Sequence, residues 1–298
     1  MSSPRKNRRK FWFFLPLAVL LAVALWAWRP WQRPITIVES VNPTDGAAMV
    51  WVPAGTFRMG SGLREGIRAA AGRRDWREMR DVVWNGLRGE ADSDEEPARK
   101  VFLDGYWIYQ YEVTVAQYRQ FCAATGRPMP PEPPWDWQDN HPVVNVDWDD
   151  AAAYAAWAGA ALPTEAQWEK AARGPDGRLY PWGNAWDGTK CRNSVDQYNA
   201  TSSSPVGIFP ASAGPYGAHD MAGNVWEWCA DWYDGEYYKL APPRNPTGPA
   251  TGTARVVRGG SWLNTNPVNF RAASRCGGNP SYWLDSLGFR CVLASPGP

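Results

Sequence analysis

Apolar and polar positions alternate in two stretches of the chain that we predict to be strands. Residues 49–59 alternate around a Pro-Ala-Gly turn, and residues 101–113 are rich in β-forming aromatic side chains. Between them, residues 63–90 are rich in arginine. Four apolar side chains in this stretch recur at helical spacing, namely Trp76, Met79, Val83 and Leu87. The pattern predicts an amphipathic helical insertion between two strands, either packed on the domain or docking a partner or a membrane surface.

Three helices are predicted downstream of the second strand region. The spacing T-x-x-Q occurs at Thr114 and at Thr164, and it is typical of a capping box that starts a helix. We expect these helices to end near Thr125 and Arg173. A third helix, rich in alanine, is predicted over residues 148–158. After Gly174 the abundance of Gly, Pro and Asn indicates loops around small sheets.

The N-terminal region carries the longest apolar run of the chain. Residues 11–28 are uncharged, and as a helix they would span about 27 Å, close to the thickness of a bilayer core. Five basic residues precede this run and two follow it, so the positive-inside rule predicts a cytoplasmic tail (1–10), a transmembrane signal anchor (11–28) and a stalk (29–46). A cleaved signal peptide is the alternative. Either interpretation predicts a periplasmic or extracellular domain.

Composition excludes several classes of protein. Gly and Pro together make up 55 of 298 residues, which argues against a coiled coil or a long helical bundle. The first 34 residues hold seven Lys or Arg and no acid, so the remainder carries a formal net charge of −6. That charge argues against nucleic acid as a partner. The five cysteines contain no C-x-x-C spacing, which excludes a zinc ribbon.

Eight motifs follow one another along the body of the chain. They are MVWVPAGTFRMGS (49–61), YEVTVAQYRQF (111–121), HPVVNVDWDDAAAYAAW (141–157), LPTEAQWEKAARG (162–174), YPWGN (180–184), YGAHDMAGNVWEWCADWY (216–233), RVVRGGSW (255–262) and LGFRCV (287–292). In this order they resemble the formylglycine-generating-enzyme family, also called the sulfatase-modifying-factor family. The resemblance implies a loop-rich α+β domain over 47–292, a variant of the C-type lectin fold, followed by a tail (293–298).

The resemblance also shows where the copper-binding cysteines of the family would be expected in this chain. In the copper-dependent members, two cysteines follow the Gly-Gly-Ser motif, because soft thiolates hold Cu(I). Here Asn264 stands at the first of these positions, and the nearest thiol, Cys276, lies beyond Arg271. We therefore expect no copper and no oxidase activity. The iron-dependent branch needs several histidines, whereas this chain has only His141 and His219.

A calcium site is a second implication of the resemblance. The family binds Ca²⁺ at a turn whose positions correspond here to Asp220, Gly223, Val225 and Glu227. Two carboxylates and two main-chain oxygens form the hard-oxygen set that Ca²⁺ prefers. The alternative is that Asp220 caps a turn and Glu227 pairs with an arginine such as Arg258.

Residues 262–286 are predicted to bind a ligand. They combine adaptable amides with rigid aromatic side chains, as antibody paratopes do, and they resemble the variable segment of retroelement-diversified lectin-fold proteins. The candidate residues are Trp262, Asn264, Asn266, Asn269, Cys276, Asn279, Tyr282, Trp283 and Asp285. The alternative is an asparagine-rich loop whose side chains satisfy their own backbone.

Together these observations predict a membrane-anchored, non-catalytic module that binds an unknown protein or glycan ligand and is stabilised by calcium. One alternative is a formylglycine-generating or non-haem iron enzyme with atypical metal ligands. Another is an envelope subunit that docks a partner through residues 63–90. Because Cys229 and Cys291 lie in segments near the family's core, the resemblance favours a disulfide between them.

Overall fold

Strands and short helices alternate with long loops in the computed structural model, which describes residues 35–62, 93–195, 200–294 and 297–298. The strands in these ranges are β1 (Glu39–Val41), β2 (Ala48–Val52), β3 (Gly55–Met59), β4 (Arg99–Leu103), β5 (Tyr106–Tyr109), β6 (Trp226–Trp232), β7 (Arg255–Arg258), β8 (Arg275–Gly278), β9 (Leu287–Gly288) and β10 (Val292–Leu293). The helices are α1 (Val115–Thr125), α2 (Trp148–Trp157), α3 (Glu165–Arg173) and α4 (Tyr237–Leu240). Short 3-10 turns connect them, including Ser93–Glu95 and Pro267–Phe270.

Three small sheets organise the described residues. The first has the order β1-β2-β5-β10 and is antiparallel throughout. The second pairs β3 with β4, the two strands that flank residues 63–92. The third has the order β8-β7-β6-β9, in which β6 and β9 run parallel. The mixture of antiparallel and parallel pairs with segregated helices confirms the predicted α+β class.

The three predicted helices form where the sequence signals place them. Thr114 and Thr164 each accept a hydrogen bond from the backbone N–H three residues later, and both capping boxes are complete. Helix α1 ends at Gly126, whose φ of 72° is left-handed and favours glycine. Helix α2 begins after Asp147, whose side chain caps the N–H of Asp150. Local hydrogen bonds therefore fix these boundaries.

Helix α3 packs in the centre of the domain against β3, β4, β6 and β7. Its Trp168 side chain is fully buried, and the indole Nε1 donates to Glu227 Oε2 over 2.9 Å. A second core cluster contains the rings of Tyr118, Phe121 and Tyr154, whose centroids lie 5.2–5.7 Å apart. Ala272 and Leu287, within and just after the predicted ligand segment, belong to these two cores.

The predicted stalk, anchor and insertion can be compared with the structure only in part. Strand β1 pairs with β2, and Asn42 Nδ2 donates to the Tyr109 hydroxyl over 2.5 Å, so the fold begins before residue 47 and the predicted stalk boundary is too late. The predicted anchor (11–28) and insertion (63–90) lie outside the described residues. Among the described helices, none is long and apolar enough to cross a membrane.

The predicted disulfide is wrong. Cys229 and Cys291 are both free thiols, and each is completely buried. They belong to different apolar clusters, since Cys229 packs with Trp168 whereas Cys291 packs with Tyr154. Burial raises the pKa of both thiols, so they behave as small apolar side chains.

Candidate ligand-binding surface and cation site

The turn after β7 shows what replaces the expected copper ligand. Gly260 has a φ of 74°, and a Cβ there would lie 2.9 Å from the Asn269 carbonyl oxygen, so the turn requires glycine. Asn264 Oδ1 accepts hydrogen bonds from Ser261 N (2.8 Å) and Ser261 Oγ (3.1 Å). Ser194 N in turn donates to the Asn264 carbonyl oxygen over 3.1 Å. The predicted ligand-binding residue Asn264 therefore closes its own turn.

Two further asparagines of residues 262–286 also satisfy their own backbone. Asn266 Oδ1 accepts from Val268 N, and Asn279 Oδ1 accepts from Ser281 N, each over 3.0 Å. The alternative of a self-satisfying loop thus holds for the side-chain oxygens of Asn264, Asn266 and Asn279. Asn269 is half-buried.

The remaining predicted residues divide into buried and exposed groups. Trp262 is only 6% exposed, and its indole Nε1 donates to the Asp285 carbonyl oxygen over 3.3 Å. Cys276 is exposed on β8, the outer strand of the third sheet. Four large apolar side chains stand out into solvent, and we call them the aromatic ridge: Leu263 (50% exposed), Tyr282 (59%), Trp283 (54%) and Leu284 (51%).

Residues that the sequence analysis did not select hold the ridge in place. Asn145 has a left-handed φ of 58°; its N–H donates to the Leu284 carbonyl oxygen (3.0 Å), and its Nδ2 donates to the Pro131 carbonyl oxygen (2.9 Å). The Trp135 ring meets the Trp262 ring edge to face, with centroids 5.5 Å apart. These contacts join residues 131–135 to the ridge, and no local motif signals them.

Buried arginines fasten the segment that carries the ridge. Arg271 makes two hydrogen bonds to the Glu95 carboxylate, of 2.8 and 3.0 Å. Arg275 does the same with Glu165, over 2.7 and 2.9 Å. Glu95 also accepts from Ser61 Oγ over 2.5 Å. The ridge segment is therefore tied to the residues on both sides of 63–92 and to helix α3.

The predicted calcium residues lie in and beside one buried turn. Asp220 is 2% exposed, its Oδ2 accepts from Gly207 N over 2.6 Å, and burial raises its pKa to about 6. Glu227 accepts two hydrogen bonds from Arg290, of 2.6 and 2.7 Å. The expected alternative, an arginine partner for Glu227, thus holds with Arg290 in the place of Arg258. Arg258 instead pairs with Glu169.

Glu112 is a buried acid in this region that the sequence analysis did not select. It is 1% exposed; its Oε1 accepts from Asn224 Nδ2 over 3.1 Å, and its Oε2 has no hydrogen-bond partner. Burial and the neighbouring Asp220 raise the pKa of Glu112. The charges of three acids, Glu227, Glu112 and Asp220, raise the pKa of the Arg290 guanidinium, and of these only Glu227 forms hydrogen bonds with it. A carboxylate oxygen without a hydrogen-bond donor is the type of ligand that a hard divalent cation prefers.

In the described part of the chain, no group of three or more His, Cys, Asp or Glu side chains is arranged to hold a metal ion. His141 Nδ1 lies 3.0 Å from Ser203 Oγ, and the His219 ring packs on Tyr111 with centroids 5.3 Å apart. Burial lowers the pKa of both histidines. A cation at the Asp220 turn would accordingly need main-chain oxygens in addition to carboxylates.

Comparison with known protein families supports the assignment that the motifs suggested. Residues 36–295 match the sulfatase-modifying factor enzyme 1-like domain. The chain belongs to this family. It is 34% identical over 306 residues to the formylglycine-generating enzyme of Thermomonospora curvata, with 82% of this chain and 92% of that protein covered. The predicted resemblance is thus confirmed.

Two solved structures share the fold of this family member. PvdO from Pseudomonas aeruginosa superposes with a TM-score of 0.67 at 26% identity, covering 88% of this chain and 98% of PvdO. Treponema denticola variable protein 1 superposes with a TM-score of 0.63 at 20% identity, covering 87% and 99% of the two chains. The predicted formylglycine-generating-enzyme-like architecture is therefore correct.

Proposed function

We propose that this family member is a non-catalytic ligand-binding module whose binding surface is the aromatic ridge. The observation that carries the proposal is the turn after Gly260. Where the family resemblance expects the first copper cysteine, the Asn264 amide oxygen accepts two hydrogen bonds from Ser261. An amide oxygen is a poor ligand for Cu(I), which prefers thiolates. The exposed side chains beside this turn are suited to contact with another molecule.

The competing proposal is a formylglycine-generating enzyme with relocated copper ligands. The 34% identity to the Thermomonospora curvata enzyme favours it. A peptide containing the sulfatase sequence C-x-P-x-R separates the two functions. The purified protein is incubated with this peptide, copper, oxygen and a thiol reductant. The mass of the peptide is then measured by mass spectrometry.

We expect the peptide mass to remain unchanged while an authentic formylglycine-generating enzyme converts it in parallel. A mass loss equivalent to one water at the peptide cysteine would overturn the non-catalytic function. In that case Cys276→Ser, which removes the exposed thiol nearest in sequence to the turn, tests whether that thiol replaces the expected copper ligands.

We further propose that the Asp220 turn holds calcium. Asp220 and Glu227 would supply carboxylate oxygens, and Gly223 and Val225 would supply main-chain carbonyl oxygens. When bound, the ion supplies two positive charges where acids outnumber the arginine. The unpartnered Glu112 Oε2 supports the proposal, because a buried carboxylate oxygen without a donor is costly.

Thermal unfolding with calcium, magnesium or a chelator tests the site. We expect calcium to raise the Tm more than magnesium does, since a ligand that binds the folded state stabilises it. The increase should be lost in Asp220→Asn and kept in Asp149→Asn, which changes an exposed acid. Equal Tm values in calcium and chelator would contradict the proposal.

We also propose that residues 11–28 anchor the chain in a membrane, with the N-terminus in the cytoplasm and the domain outside. The supporting pattern is the basic cluster that precedes this uncharged run. Protease added to intact cells or spheroplasts should digest the domain. Digestion only after lysis would contradict this orientation.

A further inference from the structure

The aromatic ridge exposes four large apolar side chains to a partner. Its four side chains, those of Leu263, Tyr282, Trp283 and Leu284, are each at least half exposed. Two are aliphatic, and Leu284 follows directly after the two aromatic residues. Exposed aromatic and aliphatic side chains of this kind are typical of surfaces where protein partners bind.

The asparagine side chains beside the ridge have limited capacity to bind a sugar. Hydroxyl-rich ligands require side-chain acceptors that are free to receive hydrogen bonds. Here the oxygens of Asn264, Asn266 and Asn279 already accept from the backbone of their own turns. These three amide oxygens therefore offer little to a hydroxyl-rich ligand, whereas the apolar ridge side chains are suited to a polypeptide.

Three acidic side chains lie in the ridge segment and in the loop joined to it. Asp285 lies within the segment, and Glu132 and Asp136 lie in the loop that Asn145 and Trp135 join to it. None of these three acids forms an ion pair with another described residue. The basic residues of the segment, Arg271 and Arg275, are buried in pairs with Glu95 and Glu165. The exposed charges near the ridge thus attract a cationic partner.

We propose that the ridge binds a polypeptide segment that carries apolar side chains next to lysine or arginine. Its apolar side chains contact Trp283 and the adjacent leucines, and its basic groups face Glu132, Asp136 and Asp285. The proposal rests on the ligand-binding function proposed above and names the class of ligand. It requires no chemical step.

Two synthetic peptides serve as probes. One is a 14-residue peptide of leucine and lysine in an amphipathic pattern, and the other has glutamate at every lysine position. Isothermal titration calorimetry measures their binding to the full chain in detergent. We expect the lysine peptide to bind and the glutamate peptide to bind at least about tenfold more weakly, with the difference shrinking as salt screens the charges.

Variants separate ridge binding from general attraction to an acidic protein. Trp283→Ser should weaken binding of the lysine peptide about tenfold, because it removes the largest exposed anchor. Leu240→Ser changes an 85% exposed leucine on α4 and should leave binding unchanged. Asp136→Lys should weaken binding of the lysine peptide and strengthen binding of the glutamate peptide.

Equal weakening by Trp283→Ser and Leu240→Ser would overturn the proposal, as would equal affinity for the two peptides. Binding to a glycan array that Trp283→Ser abolishes, without binding of the lysine peptide, would also overturn it while leaving the ligand-binding function intact. Conversion of the C-x-P-x-R peptide would count against the underlying function itself. The two failures are therefore distinguishable.

Discussion

Residues 258–290 contain two sets of side chains whose burial is the reverse of the usual distribution. Four arginines are almost completely buried, at 0–7% exposure, while four large apolar side chains are at least half exposed. The buried set is Arg258, Arg271, Arg275 and Arg290, and the exposed set is the aromatic ridge. Arginine is rarely buried unless it is paired, and exposed apolar clusters are uncommon on soluble domains. The contrast separates the part of the segment that maintains the fold from the part that is free to contact a partner.

Each buried arginine joins segments that are distant in sequence. Arg290 bonds Glu227 and also donates to the carbonyl oxygens of Tyr109, Gln110 and His219. Such charges are tolerated because each of the four guanidinium groups is paired with a carboxylate. The ridge side chains carry no comparable set of bonds. Substitutions in the two sets should therefore have opposite consequences for stability and binding.

The largest loss of stability is expected from Arg290→Met. It leaves the buried Glu227 carboxylate without its guanidinium, and we expect a loss of about 3–5 kcal/mol in the free energy of unfolding. Urea denaturation measures the change. Arg244→Met breaks the exposed Arg244–Asp104 pair and should cost no more than about 1 kcal/mol. Similar losses in the two variants would contradict the contrast between buried and exposed pairs.

The second largest expected effect is a pH dependence of stability that comes from Asp231, an acid beside the buried arginines. Burial, and then the charge of Glu165, raise the pKa of Asp231 to about 8. In the unfolded chain the pKa of an aspartate is about 4. Between about pH 4 and pH 8 the folded chain therefore binds a proton at Asp231 that the unfolded chain does not. Stability accordingly falls as the pH rises through that window. Asp231→Asn stays neutral at every pH while keeping an acceptor for Glu165 N.

We therefore expect the stability of Asp231→Asn, relative to that of the parent chain, to be higher at pH 8 than at pH 5 by about 3–4 kcal/mol. Chemical denaturation at the two pH values measures the difference. Asp149→Asn alters an exposed acid and serves as the control. An Asp231→Asn variant with an unchanged pH dependence would show that Asp231 ionises normally in the folded state.

A smaller loss of stability is expected from Asn264→Ala. This variant tests whether Asn264 stabilises the turn or is available to a ligand. The substitution removes two hydrogen bonds to Ser261, so we expect a loss of about 1–2 kcal/mol in unfolding free energy. Thermal or urea unfolding measures it. Asn266→Ala, at an exposed 3-10 cap, should cost about 0.5 kcal/mol. If Asn264→Ala left stability unchanged, Asn264 would not stabilise the turn, and its predicted role in ligand binding would stand.

The smallest effect on stability is expected from Trp283→Ser. Because the side chain is 54% exposed, we expect a change within about 0.5 kcal/mol. Trp262→Ala removes a side chain that is only 6% exposed and should cost about 3 kcal/mol or more. Comparing the two by urea denaturation sharpens the distinction between ridge and core. A large loss in Trp283→Ser would mean that the ridge belongs to the fold.

Much of the fold could be predicted because the signals are local. The capping boxes at Thr114 and Thr164 act across three residues, and both helices begin where these signals lie. The ordered motifs were sufficient for the family and its fold. The alternation of residues 49–59 likewise predicted β2 and β3. Such signals depend on backbone periodicity and short-range hydrogen bonds, which the amino-acid order specifies directly.

The candidate site could be predicted only in part, because its partners are distant along the chain. Glu227 and Arg290 lie 63 residues apart, and Glu95 and Arg271 lie 176 apart, so no spacing rule selects these pairs. The same holds for Glu112, whose unpartnered oxygen becomes informative only once Asp220 is brought beside it. By itself, the sequence determined the helix starts, strands β2 to β5 and the family. The tertiary structure decided which acid pairs with which arginine, which asparagines serve the backbone and which aromatic side chains remain exposed, because burial and charge pairing depend on contacts that form only when the chain folds.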